Sequence, residues 1–324
     1  MEAIIEPISI ELLEAELTSE RFLRKTNKSD NEIYVVTQHN SPNVMLEIGR
    51  LREISFRASG GGTGLSVDID EYDVMEKPYH QLIVWNPVEK EIIGGYRYIH
   101  GSEVTFDQNN IPRLTSSHLF TYSDEFINEY LPYTIELGRS FVRPEYQSTR
   151  MGAKSLFALD NLWDGLGALI VMLPQSKYFF GKATMYPSYG EEEQNFIFYF
   201  LDRYFPDKDH LLVPRRPLEM SFDRTEMDKI FHGANYKENY QILKEEIRTR
   251  GKNIPPLINA YMALSPTMRT FGTAINDEFG YVIETGLMIT VEEIFEEKRV
   301  RHVYSYIEEC ITKDKLYSGY GKIC

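Results

Sequence analysis

The sequence predicts an α/β or α+β mixed fold in which one central sheet is layered with helices. Segments with helical apolar spacing alternate with strand-like segments along 324 residues, without the strict βαβ repeat of a parallel sheet. Hydrophobic residues make up 42% of the chain and charged residues 26%, which is typical of a globular protein with a sizeable core. No GxGxxG, Walker, HExxH or GxSxG motif is present, so the sequence indicates none of the corresponding sites.

The first third of the chain begins with a predicted helix at residues 10–25, where carboxylates come early and basic residues late, as the helix dipole prefers. A strand at 32–38 and an amphipathic helix at 43–57 follow. The helix breaks at the glycine-rich segment 58–64, which predicts either a flexible loop or a lid over a ligand.

The rest of the chain continues the alternation of strands and helices. The expected elements are a hairpin of strands at 79–85 and 91–99, a short helix at 124–131, a strand at 134–142, a helix at 153–166, a strand at 177–186, a helix at 191–205, a helical segment at 236–250, and two strands within 271–290 about a turn at Asn276 and Asp277.

Charge and targeting signals restrict the class of protein. The formal net charge of -14 argues against nucleic-acid binding, because a phosphate backbone demands a basic face. The N-terminus has no basic start followed by an apolar run, and no apolar stretch approaches the roughly 20 residues needed to span a bilayer. The two cysteines do not provide a disulfide scaffold. We therefore expect a cytoplasmic protein.

A dense acidic cluster occupies residues 68–73, where Asp68, Asp70, Glu71 and Asp73 occur within six positions. These charges repel one another unless basic groups lie nearby and neutralise them, so the segment predicts a solvated acidic loop or a set of partners for arginines. It lacks the glycine and the bidentate glutamate of a calcium loop.

Two strands carry charged residues among apolar ones. Arg97 follows Gly94 and Gly95 in the second hairpin strand, where glycines indicate a bulge or a close backbone approach. In the strand at 134–142, alternation places Glu136 and Gly138 on one face and Arg139 on the other.

A bulge at Gly138 would bring Glu136 and Arg139 together. Because a buried charge needs a partner, we expect Glu136 to pair with Arg97 or Arg139, and a purely structural pair is the alternative.

In their order and spacing, these motifs resemble one family over residues from about 50 to about 285. The matching positions are Leu51-Arg52 with Phe56; Asp68, Asp70, Tyr72 and Asp73; His80 to Val84; Ile93 to Arg97; Glu125-Phe126; Glu136 to Ser140 with Val142 and Pro144; Leu162-Trp163 with Gly165; and Ile254 to Leu257 with Tyr261, Gly272 and Asp277 to Gly280. The family comprises the GNAT-like, acyl-ACP-dependent N-acyltransferases that begin ornithine-lipid and glycine-lipid synthesis. They are often catalogued as hemolysins and are distantly similar to acyl-homoserine-lactone synthases.

The resemblance implies the GNAT-like acyl-CoA N-acyltransferase fold and four parts of the chain. These are an N-terminal helix and strand (1–42), the acyltransferase core (43–205), a charged helical insertion (206–253) and a C-terminal part that completes the sheet (254–324).

The resemblance also implies the reactants. A (3-hydroxy)fatty acyl group would pass from the phosphopantetheine thioester of acyl carrier protein, with acyl-CoA as the alternative donor, to the amine of an amino acid such as glycine or ornithine. No bound cofactor or metal is expected, and the lipid product implies peripheral membrane contact.

The donor-binding segment departs from the usual GNAT phosphate loop. That loop would start at Gln147, but its first glycine position holds Arg150. A carrier protein brings a single phosphate, which places less demand on this loop. We expect Arg143, Arg150 and Lys154 to meet the acyl carrier or its phosphopantetheine phosphate.

Amine attack on a thioester requires a base and donors for the developing oxyanion. We expect Glu136 to act as the base or its relay and backbone N–H groups near Gly138 to hold the oxyanion. Arg97 or Arg139 would grip the carboxylate of the acceptor amino acid.

The remaining motif residues are expected to line the substrate site. Asp70 and Asp73 would hold the acceptor's ammonium or anchor the arginines, and Arg52 and Phe56 would contact substrate. Trp163 would pack in the core or touch the acyl chain.

Three alternatives stay open on the sequence alone. The first is another GNAT enzyme that uses acyl-CoA, or a homoserine-lactone synthase. The second is a hemolysin-like lytic protein, against which the absence of a long amphipathic hairpin counts. The third is a catalytically inactive binding module.

Overall fold

An eight-stranded mixed sheet forms the centre of the protein. The computed structural model describes residues 1–147 and 153–312, those from 153 to 156 by their backbone only. The strands in the described part are β1 (Phe22–Lys25), β2 (Glu32–Val36), β3 (His80–Asn86), β4 (Glu91–His100), β5 (Phe120–Tyr122), β6 (Thr134–Val142), β7 (Tyr178–Met185), β8 (Leu212–Pro214), β9 (Arg269–Asn276) and β10 (Val282–Thr290).

The sheet has the order β1-β2-β3-β4-β6-β7-β10-β9, while β5 and β8 form a separate pair. Every neighbouring pair of the large sheet is antiparallel except β6 and β7. The helices of the described part are α1 (Ile10–Glu16), α2 (Pro42–Ser59), α3 (Glu71–Val74), α4 (Ala153–Met172), α5 (Glu191–Tyr204), α6 (Arg224–Ile230), α7 (Tyr236–Thr249), α8 (Pro256–Met262), α9 (Glu296–Arg299) and α10 (Ser305–Thr312).

The two faces of the sheet differ in character. On one face, Tyr96 and Leu137 join the core that also contains Leu162 of α4 and Phe196 of α5. On the opposite face, α2 and the segment 112–120 cover the sheet over two further apolar clusters, and buried charged side chains such as Arg97 lie among them. Alternation along β4 therefore places Tyr96 in the main core and Arg97 on the face covered by α2.

The parallel strands β6 and β7 separate halfway along their length. Their pairing runs only from Thr134, opposite Tyr178, to Leu137, opposite Gly181. Beyond that point β6 carries a bulge, because Arg97 pairs with Gly138 while Gly95 pairs with Phe141. Such a bulge bends its strand, and here it accompanies a gap between two neighbouring strands.

The prediction of one helix over residues 10–25 is wrong in its second half. Helix α1 ends at Glu16, and Phe22–Lys25 form an edge strand that pairs with β2. Leu23 is buried in the main core, so tertiary packing overrides the local helical spacing. The first two residues of the glycine-rich segment 58–64 still belong to α2, and the rest is a loop that Glu53 fixes by accepting hydrogen bonds from the backbone of Thr63 and Gly64.

The predicted N-terminal and C-terminal parts both contribute strands to the large sheet. Residues 1–42 supply β1 and β2 to the large sheet, and β9 and β10 of the C-terminal part form its opposite edge. The segment 206–253 contains α6, α7 and β8, and α7 packs against α5. Among the residues with described coordinates, no helix combines the length and the hydropathy required to cross a bilayer.

Candidate active site

A cavity of about 860 Å³ passes through the gap between β6 and β7. That volume lies within the roughly 300–1,000 Å³ of small-molecule sites. Its wall on the α4 side is mainly apolar and includes Leu137, Ala158, Leu159, Pro256 and Leu257. Its wall on the α2 side is mainly polar and includes Arg97, Thr115, Arg139, Lys182 and Glu284.

The polar wall on the α2 side is called the polar end of the cavity, and the apolar wall on the α4 side is called the apolar end. Arg97 belongs to a buried cluster of arginines and aspartates at the polar end. Its Nη1 atom lies 2.7 Å from both carboxylate oxygens of Asp70 and 3.2 Å from Asp73 Oδ2. Asp70 also caps α3 by accepting from Tyr72 N, and it forms a capping box with Asp73. The aspartates of the acidic segment therefore anchor arginines, and the segment is not a solvated loop.

Burial opposes the ionisation of Asp73, but the adjacent guanidinium groups of Arg52 and Arg97 outweigh it and lower the pKa of Asp73 to about 2. The carboxylates of Asp73 and Asp70 raise the pKa of Arg97, although burial alone would lower it. Both groups are thus fully charged at neutral pH.

Arg52 does not line the cavity, contrary to its predicted substrate contact. Its side chain is 0% exposed and donates to Asp73 Oδ2 at 3.1 Å and to Gln81 Oε1. Arg52 reaches Asp73 from α2 and helps to hold that carboxylate in place within the cluster.

Arg139 projects from the bulge of β6 into the cavity wall. It has a φ of +46°, in the left-handed region that non-glycine residues seldom adopt. Its Nε atom lies 3.0 Å from Asp68, its Nη2 lies 3.8 Å from Asp70, and its guanidinium carbon lies 4.2 Å from the Phe279 ring centroid. The predicted bulge is present, but it directs Arg139 to the aspartates and not to Glu136.

Glu136 pairs with neither arginine, so the expected ion pair is wrong. One oxygen accepts from Tyr79 Oη and from Thr115 N at 3.2 Å. The other accepts from Ser116 N at 3.1 Å and from Ser116 Oγ. The carboxylate is 2% exposed and is absent from the cavity wall, so the geometry offers it no contact with substrate as a base. Glu136 instead fixes the position of Thr115.

Gly138 leaves a polar space on the cavity wall. An added Cβ there would lie 3.5 Å from both Arg97 Nε and Thr115 Oγ1. Both of these atoms are buried and have no hydrogen-bond partner among the described residues. Two donors without partners therefore lie beside one space at Gly138. The role of the backbone N–H groups near Gly138 stays a prediction.

Lys182 and Glu284 form an ion pair that sequence reasoning missed. Lys182 Nζ lies 3.2 Å from Glu284 Oε2 and donates to the Thr115 carbonyl, also at 3.2 Å. Burial raises the pKa of Glu284, but Lys182 and Asn276 outweigh it, so the net shift is downward. A lysine within β7 and a glutamate within β10 interrupt apolar runs as Glu136 does, and that signal identifies them.

The two aromatic predictions have different outcomes. Phe56 lines the cavity and packs edge-to-face against Phe279, with ring centroids 5.0 Å apart. Trp163 lies outside the wall and packs in the core against Tyr261, which does line the cavity. Trp163 therefore supports the wall from behind.

The predicted basic site for the carrier is described only in part. Arg143 is already paired, with Glu91 and at 3.4 Å with Glu145. Arg150 lies outside the described residues, and so does the side chain of Lys154. The role of this trio stays a prediction.

Comparison with known proteins gives close relatives. Residues 51–156 match the family model described as Acetyltransferase (GNAT) domain. A glycine N(alpha)-acyltransferase of Phocaeicola vulgatus is 60% identical over 98% of this chain and 98% of its own length. The chain belongs to the GNAT-like N-acyltransferase family. A glycine N(alpha)-acyltransferase of Bacteroides thetaiotaomicron is 63% identical over 95% of this chain and 91% of that protein.

Membership of this family shows that the chain is an acyltransferase and confirms the predicted mixed α/β fold. The alternative of a hemolysin-like lytic protein is therefore not supported. Two solved structures of the CoA-dependent acyl-homoserine lactone synthase BjaI, one with SAM and isopentyl-CoA and one with MTA, are more distant. Each is 11% identical, with a TM-score of 0.37 over 86% of this chain and 90% of that one. At that distance, nothing about the substrates of this N-acyltransferase follows from them.

Asp73→Asn is expected to lower the free energy of unfolding by about 3–5 kcal/mol, because it leaves two buried guanidinium groups short of one negative charge. Asp73 has a folded-state pKa below its unfolded value, so its contribution is present above about pH 4 and is lost as pH falls towards 2. Urea unfolding at pH 7 and pH 3 measures both effects.

The matched control for that variant is Glu71→Gln, since the Glu71 side chain is 65% exposed and its partner Arg113 is 40% exposed. It should change stability by less than about 0.5 kcal/mol. Equal losses of unfolding free energy in the two variants would show that the buried cluster contributes no more to stability than an exposed ion pair.

Glu136→Gln is expected to lower stability by about 1–3 kcal/mol and to reduce turnover, because an amide turns one acceptor oxygen into a donor that faces other donors. The fall in rate at acid pH, which arises from protonation of the acceptor amine and is called the acid limb, should persist in the variant, since Glu136 positions Thr115 and does not remove the proton.

Glu16→Gln is the control for Glu136→Gln. Glu16 accepts from Asn43 N and Val44 N away from the cavity, so its loss should weaken the fold without changing turnover of the folded enzyme. Disappearance of the acid limb in Glu136→Gln alone, with stability intact, would restore Glu136 as the base.

Proposed function

We propose that this acyltransferase moves a fatty acyl group from the phosphopantetheine thioester of acyl carrier protein to the amine of glycine, in membrane aminolipid synthesis. The observation that carries the proposal is one cavity with an apolar end and a polar end, joined at the gap between β6 and β7. A fatty chain and an amino acid require those two environments. Close relatives named glycine N(alpha)-acyltransferase support glycine as the acceptor.

The gap itself suits the extended arm of the donor. Beyond Leu137 and Gly181 the facing edges of β6 and β7 are no longer hydrogen-bonded to each other in the sheet. An extended ligand with amide groups, such as a pantetheine arm, can pair with those edges as an added strand does. The arm would then carry its thioester to the junction of the two ends.

The apolar end receives the acyl chain in this arrangement. Ala158 and Leu159 of α4 line this end together with Pro256 and Leu257 of α8. Burial of each methylene contributes about 0.8 kcal/mol, so a long chain bound here supplies much of the donor affinity.

The polar end supports the chemical step. The ammonium of the acceptor first loses one proton, and the free amine then attacks the thioester carbon, so that the carbonyl oxygen becomes an oxyanion; donors placed beside it lower the barrier. Collapse of the oxyanion breaks the C–S bond, and the pantetheine sulfur leaves as a thiol with a second proton from the nitrogen. Arg97 Nε and Thr115 Oγ1 converge on the space beside Gly138 without partners of their own, and they are the donors we propose. Asp70 and Asp73 hold the Arg97 guanidinium so that its Nε keeps this direction.

Acyl carrier protein is the proposed donor because the usual phosphate loop is altered at Arg150, and acyl-CoA is the second candidate. The purified enzyme should convert glycine and long-chain acyl-ACP to N-acylglycine, detected by mass spectrometry, much faster than it uses the same chain on CoA. Failure to form any N-acyl amino acid with either donor would contradict the proposal, and a requirement for S-adenosylmethionine would favour the lactone-synthase alternative.

A variant in the apolar end sharpens that assay. Leu257→Trp narrows the cavity and is expected to lower the rate with a long-chain donor more than with a short-chain donor. Leu12→Trp, on the exposed side of α1, is the control and should leave the ratio unchanged. Equal ratios in the two variants would place the acyl chain elsewhere.

Thr115→Val is expected to reduce kcat by about 10²-fold, the usual cost of removing one oxyanion donor. Its stability should stay near that of the wild type, since the hydroxyl has no partner to lose among the described residues. Steady-state kinetics and thermal unfolding of the same preparation measure the two quantities.

Thr270→Val is the control, because it should lower stability and leave kcat unchanged. The Thr270 hydroxyl donates to the Phe205 carbonyl at 3.0 Å, outside the cavity, so its removal should cost about 1 kcal/mol of stability and leave kcat unchanged. Full activity of Thr115→Val would exclude Thr115 as a donor to the oxyanion.

A further inference from the structure

We propose that Lys182 and Glu284 form the subsite that recognises the acceptor amino acid as a zwitterion, with its carboxylate on Lys182 and its ammonium on Glu284. This inference rests on the proposed function and deepens it, because it assigns the acceptor's two charges to two side chains. The pair lies on the polar wall, on adjacent strands β7 and β10.

The register of the sheet explains why these side chains meet. Lys182 pairs with Gly286 and Glu284 pairs with Thr184, so the two charged residues are diagonal neighbours on one face. Gly286 carries no side chain, and Phe120 packs over it, where an added Cβ would lie 2.9 Å from the ring. The pair is therefore closed in on one side and open towards the cavity on the other.

Charge balance favours a zwitterion over a simple anion. Three arginines, Arg52, Arg97 and Arg139, face three aspartates, Asp68, Asp70 and Asp73, and the buried carboxylate of Glu136 adds a negative charge behind Thr115. Lys182 and Glu284 cancel each other. An anionic ligand would add a further uncompensated negative charge in a region of low dielectric, whereas an amino acid adds one charge of each sign.

Glu284 is the only carboxylate among the described residues that line the cavity. Its orientation is fixed, because Thr184 Oγ1 donates to Oε1 at 3.1 Å and Asn276 Nδ2 donates to Oε2 at 2.9 Å. A carboxylate offers about four lone-pair positions, so it has capacity for a further donor beyond these two and Lys182. The ammonium of an amino acid is such a donor.

Lys182 is the cavity cation whose counterion also lies on the cavity wall. Arg97 and Arg139 are held by aspartates off the wall, and Lys252 is held by Glu193 at 2.9 Å, also off the wall. Insertion of an amino acid between Lys182 and Glu284 replaces their 3.2 Å contact with two contacts of the same kind. Lys182 and Glu284 therefore each keep a partner of opposite charge when the amino acid binds.

Lys182→Met tests the carboxylate contact through two acceptors, glycine and glycinamide, which lacks the carboxylate charge. The wild type is expected to prefer glycine, and the variant should raise the KM for glycine by about 10- to 100-fold while the KM for the acyl donor stays unchanged. The preference for glycine over glycinamide should collapse. Because a ratio of rates on one preparation does not depend on the folded fraction, poor folding cannot imitate this result.

Glu284→Gln tests the ammonium contact, since it keeps the shape of the side chain and removes its charge. It should raise the KM for glycine and for glycinamide alike, because both carry the ammonium, so the preference for glycine should persist. Lys90→Met and Glu14→Gln, which break an exposed ion pair 3.0 Å long, are the matched controls and should change neither KM nor preference.

Titration of glycine into the enzyme without donor separates this inference from the proposed function. Tighter binding to the wild type than to Lys182→Met and Glu284→Gln supports the subsite whether or not acyl transfer is seen. An unchanged glycine KM and an unchanged acceptor ratio in both variants, with N-acylglycine still produced, would overturn the subsite and leave the proposed function standing.

Discussion

The ion pair between Arg139 and Asp68 is the interaction on which the site depends. Arg139 occupies a left-handed conformation in the bulge of β6, and Asp68, which is fully buried, holds its guanidinium 3.0 Å away. A strained backbone of this kind persists only when surrounding contacts fix it. With the bulge in place, β6 leaves β7 after Leu137, and the cavity occupies the gap between them. The separation of β6 from β7 and the cavity between them therefore accompany one local distortion.

Much of the fold could be predicted because its elements carry local signals. The amphipathic spacing of α2 and the turn between β3 and β4 each depend on nearby residues, and the structure contains them close to the expected bounds. The edge strand β1 could not be predicted, since its residues share helical spacing with α1 and only pairing with β2 decides their conformation. The order of the sheet depends on long-range contacts, which no local pattern specifies.

The site was predicted as a set of positions more successfully than as a set of contacts. The charges at Arg97, Arg139 and Asp73 were identified because charge in an apolar strand or in an acidic run demands a partner. Which partner each one takes depends on the bulge and on the loop at 112–117, neither of which has a strong local signal. Glu136 therefore holds Thr115 instead of an arginine, while Lys182 and Glu284, on strands distant in sequence, form the pair at the cavity wall.

A crystal structure with bound N-acylglycine would test the central claim most directly, because that product reports both ends of the cavity at once. The account predicts that the acyl chain runs past Leu257 on the α4 side and that the glycine carboxylate lies within hydrogen-bonding distance of Lys182 Nζ on the α2 side. The amide carbonyl should lie beside Gly138, near Thr115 Oγ1. A product bound outside the gap between β6 and β7, or with its carboxylate remote from Lys182, would contradict the account.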